Sequence, residues 1–172
     1  MSIKTLRNVE MPEEREVSFP PAHTAEHLLN QLMMRLFGCE RACEAHVERK
    51  KSKITYVLDS KPDRKMEREI EREMNHLIDA DMEVTYEVLS VAELEYMIDN
   101  AESGSIESRI DLNRLPAGAG DTVRLVRIGD YDVCPCIGKH VRSTGQIGRF
   151  ELLGTNWDEH AHTYRIRYKV VQ

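Results

Sequence analysis

Two short stretches, about a hundred residues apart, each place two metal-ligating side chains four positions apart: His23-Thr24-Ala25-Glu26-His27 and Cys136-Ile137-Gly138-Lys139-His140. On a helix that spacing puts both side chains on one face. Three imidazoles and a thiolate make a soft N₃S donor set, which suits zinc far better than magnesium or calcium. If the two pairs hold one ion, a helix near the start of the chain must meet a turn in its last third. That long-range closure limits the fold more than any local propensity does.

The 172 residues suffice for one domain, 1–172, with a core that needs no staples. Charged residues at 31% and hydrophobic residues at 41% fit a soluble globular chain. No apolar run approaches the ~20 residues that span a bilayer. The start, Met1-Ser2-Ile3-Lys4-Thr5-Leu6-Arg7, lacks the apolar stretch of a secretory signal. A cytoplasmic protein without a membrane partner is the expectation. In that reducing setting Cys39, Cys43, Cys134 and Cys136 read as thiols or ligands rather than disulfides. A formal net charge of -6 gives no general attraction to DNA, so any RNA contact must use local patches. Two candidates are Arg41 with Arg49-Lys50-Lys51-Ser52-Lys53, and Lys139 with Arg142 and Arg149.

Residues 1–19 form a lead-in with a short strand expected at Glu16–Phe19. Pro20-Pro21 then sets up a helix start. From Ala22 to Phe37 the apolar residues Ala25, Leu28, Leu29, Leu32, Met33 and Leu36 recur at helical spacing, and His23 and His27 fall opposite them, toward solvent or a cleft. Lys53–Leu58 reads as a strand, Lys61–Ala80 as a salt-bridged amphipathic helix, Met82–Val88 as a half-buried strand and Val91–Ile98 as a short helix. Residues 99–121, rich in Asp, Ser, Gly and Asn, read as a flexible loop. Strands follow at Thr122–Ile128, from Tyr131 into the cysteine motif, at Gly148–Leu153 and at Tyr164–Val171. The predicted class is α+β, a mixed and mostly antiparallel sheet packed against a few helices.

The string His-x-x-Glu-His alone also matches a metallopeptidase signature in which the glutamate is the general base. Such peptidases are larger, by analogy with that family, and their ligand set leaves Cys136 and His140 unexplained. Read at greater length, His23-Thr24-Ala25-Glu26-His27-Leu28-Leu29-Asn30 and Cys136-Ile137-Gly138-Lys139-His140-Val141-Arg142-Ser143-Thr144-Gly145-Gln146-Ile147-Gly148 resemble the editing domain of alanyl- and threonyl-tRNA synthetases and of free-standing alanyl-tRNA editing proteins. The order and separation of the two motifs fit that family, as does the strand Val123–Gly129 before the cysteine.

The resemblance implies zinc held by His23, His27, Cys136 and His140, and a deacylase acting in trans on mischarged tRNA, for alanine-type members seryl- or glycyl-tRNA. Zinc would lower the pKa of water and polarise the ester carbonyl. Gly138 lets backbone approach the substrate, with its amide a candidate oxyanion donor. Glu26 is the candidate base, and Thr24, Lys139, Arg142 and Thr144 are candidate substrate contacts. Thr24 could equally cap the helix start. Three residues depart from the alanine-type pattern: Ile137 and Lys139 replace a glycine and a threonine, and Glu26 replaces a small or neutral residue. They leave open a second reading, a zinc-containing module that binds tRNA or protein without turnover.

Overall fold

The computed structural model describes residues 13–115 and 121–172. They group into two compact units, one comprising the described residues of Thr85–Gly138 with 13–15, the other Glu16–Val84 with Lys139–Gln172.

The second unit holds a four-stranded antiparallel sheet and two helices. Its strands are β1 (Glu44–His46), β2 (Ser52–Val57), β6 (Arg149–Asp158) and β7 (Thr163–Val171), in the order β1-β2-β7-β6. Alternation makes β7 a good central strand: Tyr164, Ile166, Tyr168 and Val170 all point inward. Against them lie α1 (Pro20–Phe37) and α2 (Arg64–Asp79). Pro20 and Pro21 occupy the first turn of α1, where a missing N–H costs nothing, and Gly38 ends it in the left-handed conformation at φ 64°. The α2 helix is capped by Asp63, whose carboxylate accepts from the Met66 N–H at 2.8 Å. It turns Ile70, Met74 and Ile78 inward. Two buried tyrosines tie the sheet to α1, the Tyr168 hydroxyl donating to the Ala22 carbonyl and the Tyr56 hydroxyl to Asn30 Oδ1, each at 2.9 Å.

The first unit is a three-stranded sheet in the order β3-β4-β5, made of β3 (Val84–Ser90), β4 (Thr122–Ile128) and β5 (Asp132–Pro135). Strands β4 and β5 pair as an antiparallel hairpin that sets Leu125 opposite Pro135. Helix α3 (Val91–Asp99), capped by Ser90, contributes Leu94 to a core with Ile110, Val123, Leu125 and Val133.

The two antiparallel sheets and three helices are the α+β class expected. Two local expectations change. Glu16–Phe19 is not a strand; the ladder contact lies one residue earlier, an isolated bridge from Arg15 to Gly138. The segment from 99 to 115 carries two 3₁₀ turns, Glu107–Arg109 and Leu112–Arg114, and Ile106, Leu112 and Leu115 pack on the core around Leu94. Residues 116–120 of the expected loop lie outside the described residues, as do 1–12 of the lead-in. Among the described residues, no helix is long and apolar enough to cross a membrane.

Candidate metal centre

The α1 helix is not the one-sided amphipathic helix its apolar stripe suggests. Twelve of its residues are buried, including His23, Thr24, His27, Asn30 and Gln31 opposite the stripe. His23 and His27 are only 6% and 4% exposed, so of the two expected surroundings, solvent or a cleft, they take the enclosed one. They face the segment that begins at Lys139, where His140 is 7% exposed.

Three imidazoles converge there. His23 and His140 stack with ring centroids 4.1 Å apart and planes 18° from parallel. His27 stands edge-on to both, at 5.0 Å from His23 and 4.5 Å from His140. One ring nitrogen from each lies within 4.8 Å of the others.

Hydrogen bonds fix which nitrogens are available. His23 Nδ1 lies 3.0 Å from the Lys139 carbonyl oxygen. A carbonyl only accepts, so Nδ1 carries the hydrogen and Nε2 keeps a lone pair. His140 Nδ1 lies 2.9 Å from Thr24 Oγ1, which also accepts the Val141 N–H at 3.2 Å. Ligation through His140 Nε2 needs the proton on Nδ1, and Thr24 Oγ1 is placed to take it. Thr24 therefore does not cap α1; its hydroxyl, wholly buried, orients a ring from the far motif. Buried imidazoles with converging nitrogens fit a borderline-soft divalent cation such as zinc.

Glu26 lies between its two neighbours, Oε2 being 3.8 Å from His23 Nε2 and 4.0 Å from His27 Nε2. Its side chain is 14% exposed, and its other oxygen accepts from Asn30 Nδ2 at 3.1 Å. Asn30 Oδ1 in turn accepts from the Ala42 N–H and the Tyr56 hydroxyl. Burial, and after it the Glu26 charge, push the Tyr56 and Tyr168 phenols well above their usual range, so both remain neutral donors. Asn30 was not singled out from the sequence, although its place four residues after Glu26 on one helix was the available signal.

Cys136 lies in the other unit, two residues before its end at Gly138, and is buried, as all three histidines are. Its segment is held by Arg124, itself 4% exposed. Arg124 Nε donates to the Cys136 carbonyl at 2.7 Å and Nη2 to the Gly138 carbonyl at 2.6 Å, while the Arg124 carbonyl accepts the Cys136 N–H at 3.0 Å. Its remaining nitrogen pairs with Glu14 at 3.1 Å, and the guanidinium lies over Tyr86 with its carbon 4.5 Å from the ring centroid. In the sequence the only hint of this role was an arginine set between Val123 and Leu125, a pattern that Arg127 repeats three residues later in the same strand.

The other expected site residues are distributed as follows. Lys139 and Arg142 are exposed. Thr144 is fully buried: its Oγ1 accepts the Met82 N–H at 2.9 Å and donates to the Leu77 carbonyl at 2.9 Å, fastening the 3₁₀ turn Thr144–Ile147 to the end of α2. Of the other thiols, Cys39 is half-buried and Cys43 exposed. His160 and His162 sit exposed in the turn between β6 and β7.

Residues 123–167 match the family described as the threonyl and alanyl tRNA synthetase second additional domain. That span includes Cys136 and His140 and leaves His23 and His27 outside. The alanine–tRNA ligase of Treponema denticola is 33% identical over 135 residues, covering 74% of this chain and 20% of the ligase. That of Streptomyces avermitilis is 29% identical over 148 residues, covering 85% of this chain and 15% of the ligase. The alanyl-tRNA editing protein AlaX-L of Pyrococcus horikoshii is 30% identical over 86 residues, 44% of this chain and 21% of that protein. The chain thus spans about a fifth or less of the curated relatives it matches. With residues 123–167 matched and an alanine–tRNA ligase 33% identical over 74% of this chain, the chain belongs to the family that carries the threonyl and alanyl tRNA synthetase second additional domain.

Proposed function

We propose that this chain is a zinc-dependent hydrolase of mischarged aminoacyl-tRNA, acting in trans on seryl- or glycyl-tRNA of the alanine type. The observation that carries the reading is the trio of buried imidazoles with a carboxylate oxygen 3.8 and 4.0 Å from two of their Nε2 atoms. His23, His27 and His140 would hold the ion. Cys136 is the fourth proposed donor on the strength of the motif, four residues before His140 in the chain. Bound zinc supplies Lewis acidity toward water and toward the ester carbonyl.

The chain's own residues do the rest. Glu26 takes the proton of the attacking water on Oε2 and passes it to the departing ribose oxygen. Asn30 fixes the Glu26 carboxylate by holding its other oxygen. Thr24 and the Lys139 carbonyl keep the rings of His140 and His23 in the orientation ligation needs. The Gly138 amide is the proposed oxyanion donor, a role given by its motif position. Lys139 and Arg142, exposed beside this segment, are proposed phosphate contacts.

Incubation of the purified chain with seryl-tRNA and glycyl-tRNA tests the reading. Wild type should release the amino acid, with His27→Ala inactive and its metal content, by elemental mass spectrometry, near zero. A Glu26→Gln chain should keep its metal and lose about 10²–10⁴-fold in rate. Equal ester loss with wild type and His27→Ala would reject the proposal. Metal and tRNA retained with no turnover by wild type would leave the non-catalytic module in its place.

A further inference from the structure

Away from the histidines, the outer face of α2 and the strand β6 enclose a furrow. Three clefts, of about 760, 260 and 500 Å³, lie along it. The first two share Arg64 and Glu67 as walls, and the last two share Arg68 and Glu71, so they adjoin in series along α2. Trp157 and Lys61 line the wide end, and Arg149 lines the other.

The charges within it are sorted. Glu67 Oε1 accepts from the Thr155 hydroxyl at 2.6 Å and the Tyr164 hydroxyl at 3.1 Å, and Glu71 Oε2 from the Leu152 N–H at 2.8 Å. Asp63 is spent on the α2 cap. Glu67 and Glu71 are thus drawn down onto the sheet and Asp63 onto the helix start, while Asp79 stays exposed at the Arg149 end. Lys61, Arg64, Arg68 and Arg149 are all exposed and form no ion pair with a described residue. Arg64 and Arg68 stand one turn apart on α2, about 6 Å along its axis. Trp157 is half-buried and braced, its indole N–H donating to Glu159 and its ring tilted against His162 with centroids 5.5 Å apart. A row of unneutralised cations ending at a braced aromatic ring matches a phosphodiester strand with an unpaired base, since the phosphates take the cations and the base takes the ring. An acidic peptide would use the cations and leave the tryptophan without a purpose.

We propose that this furrow binds an RNA strand of the substrate, with Arg64, Arg68, Arg149 and Lys61 on phosphates and Trp157 stacked on an unpaired base. The proposal rests on the tRNA reading above and adds the surface that grips it. Fluorescence anisotropy of a labelled alanine-tRNA transcript, titrated with the full chain across a salt series, tests it. Arg64→Ala/Arg68→Ala should bind about tenfold or more weakly in moderate salt, with the log–log salt slope shallower by about 1.4–1.8, two released contacts. Trp157→Leu should bind roughly fivefold or more weakly with the slope unchanged. Arg109→Ala/Arg114→Ala, which removes equal charge from exposed positions in the other unit, should behave as wild type. Unchanged affinity and slope in Arg64→Ala/Arg68→Ala, or an equal loss in the Arg109/Arg114 control, would overturn the furrow while wild-type deacylation still upholds the hydrolase. Failure of wild type both to bind the transcript and to cleave any aminoacyl-tRNA would overturn both.

Discussion

Arg124 and Thr24 each spend a buried polar side chain on holding something else in place. Replacing Arg124 by Met removes donors from the Cys136 and Gly138 carbonyls and leaves them in a buried setting. The expected cost is about 2–4 kcal/mol, read as a lower urea midpoint. Thr24→Val keeps the shape of the side chain but loses the contacts to His140 Nδ1 and the Val141 N–H. Metal affinity should fall about 10–100-fold in competition with a chromophoric chelator. At this scale the ligand candidates were legible, because i, i+4 spacing is a geometric statement about a helix. Their orienting partners were not. Thr24 and Arg124 act through contacts with residues 116 and 12 positions away, and no local pattern encodes such pairings.

Among the elements, those with a strong period were readable. Strand β7 alternates without a break, and α2 carries its apolar residues on one side and charge on the other. Strand β1 escaped notice because its three residues are all exposed and show no alternation. The burial of α1 on both faces was also hidden, since polar residues that pair inside the protein look, in sequence, like residues facing water.

Two predictions belong to this scale. Gly148 stands immediately before β6 at φ 90°, and a Cβ there would collide with the Val171 carbonyl oxygen. Gly148→Ala should therefore lower stability by about 2–4 kcal/mol, measured by thermal or urea unfolding. In the other unit, the hydrogen bond from Arg127 holds the Glu107 carboxyl below its ordinary value of 4.5. A depressed folded-state pKa means that its stabilisation is complete above about 4.5 and is lost as pH falls through the lower folded value. Glu107→Gln should flatten that part of the acid limb in urea midpoints measured against pH, and leave the neutral-pH slope unchanged.

For the whole molecule, ligand binding and stability are linked. The proposed ion would join α1 to the Lys139–His140 segment within one unit, so chelation should lower the melting temperature as well as stop turnover. With free zinc at about 100 times Kd, the linked stabilisation is about 2.7 kcal/mol, and calorimetry with and without chelator reads it.

The strand that completes the sheet has a consequence for biosynthesis. Strand β7 follows every other element of its unit in the chain, yet it lies between β2 and β6, and its Tyr168 hydroxyl anchors the first turn of α1. Until β7 has been synthesised, the sheet lacks its middle strand and the histidine-bearing helix lacks a floor. The proposed ion site should therefore form only after β7 has joined the sheet, and a nascent chain stalled before β7 should emerge unable to hold zinc.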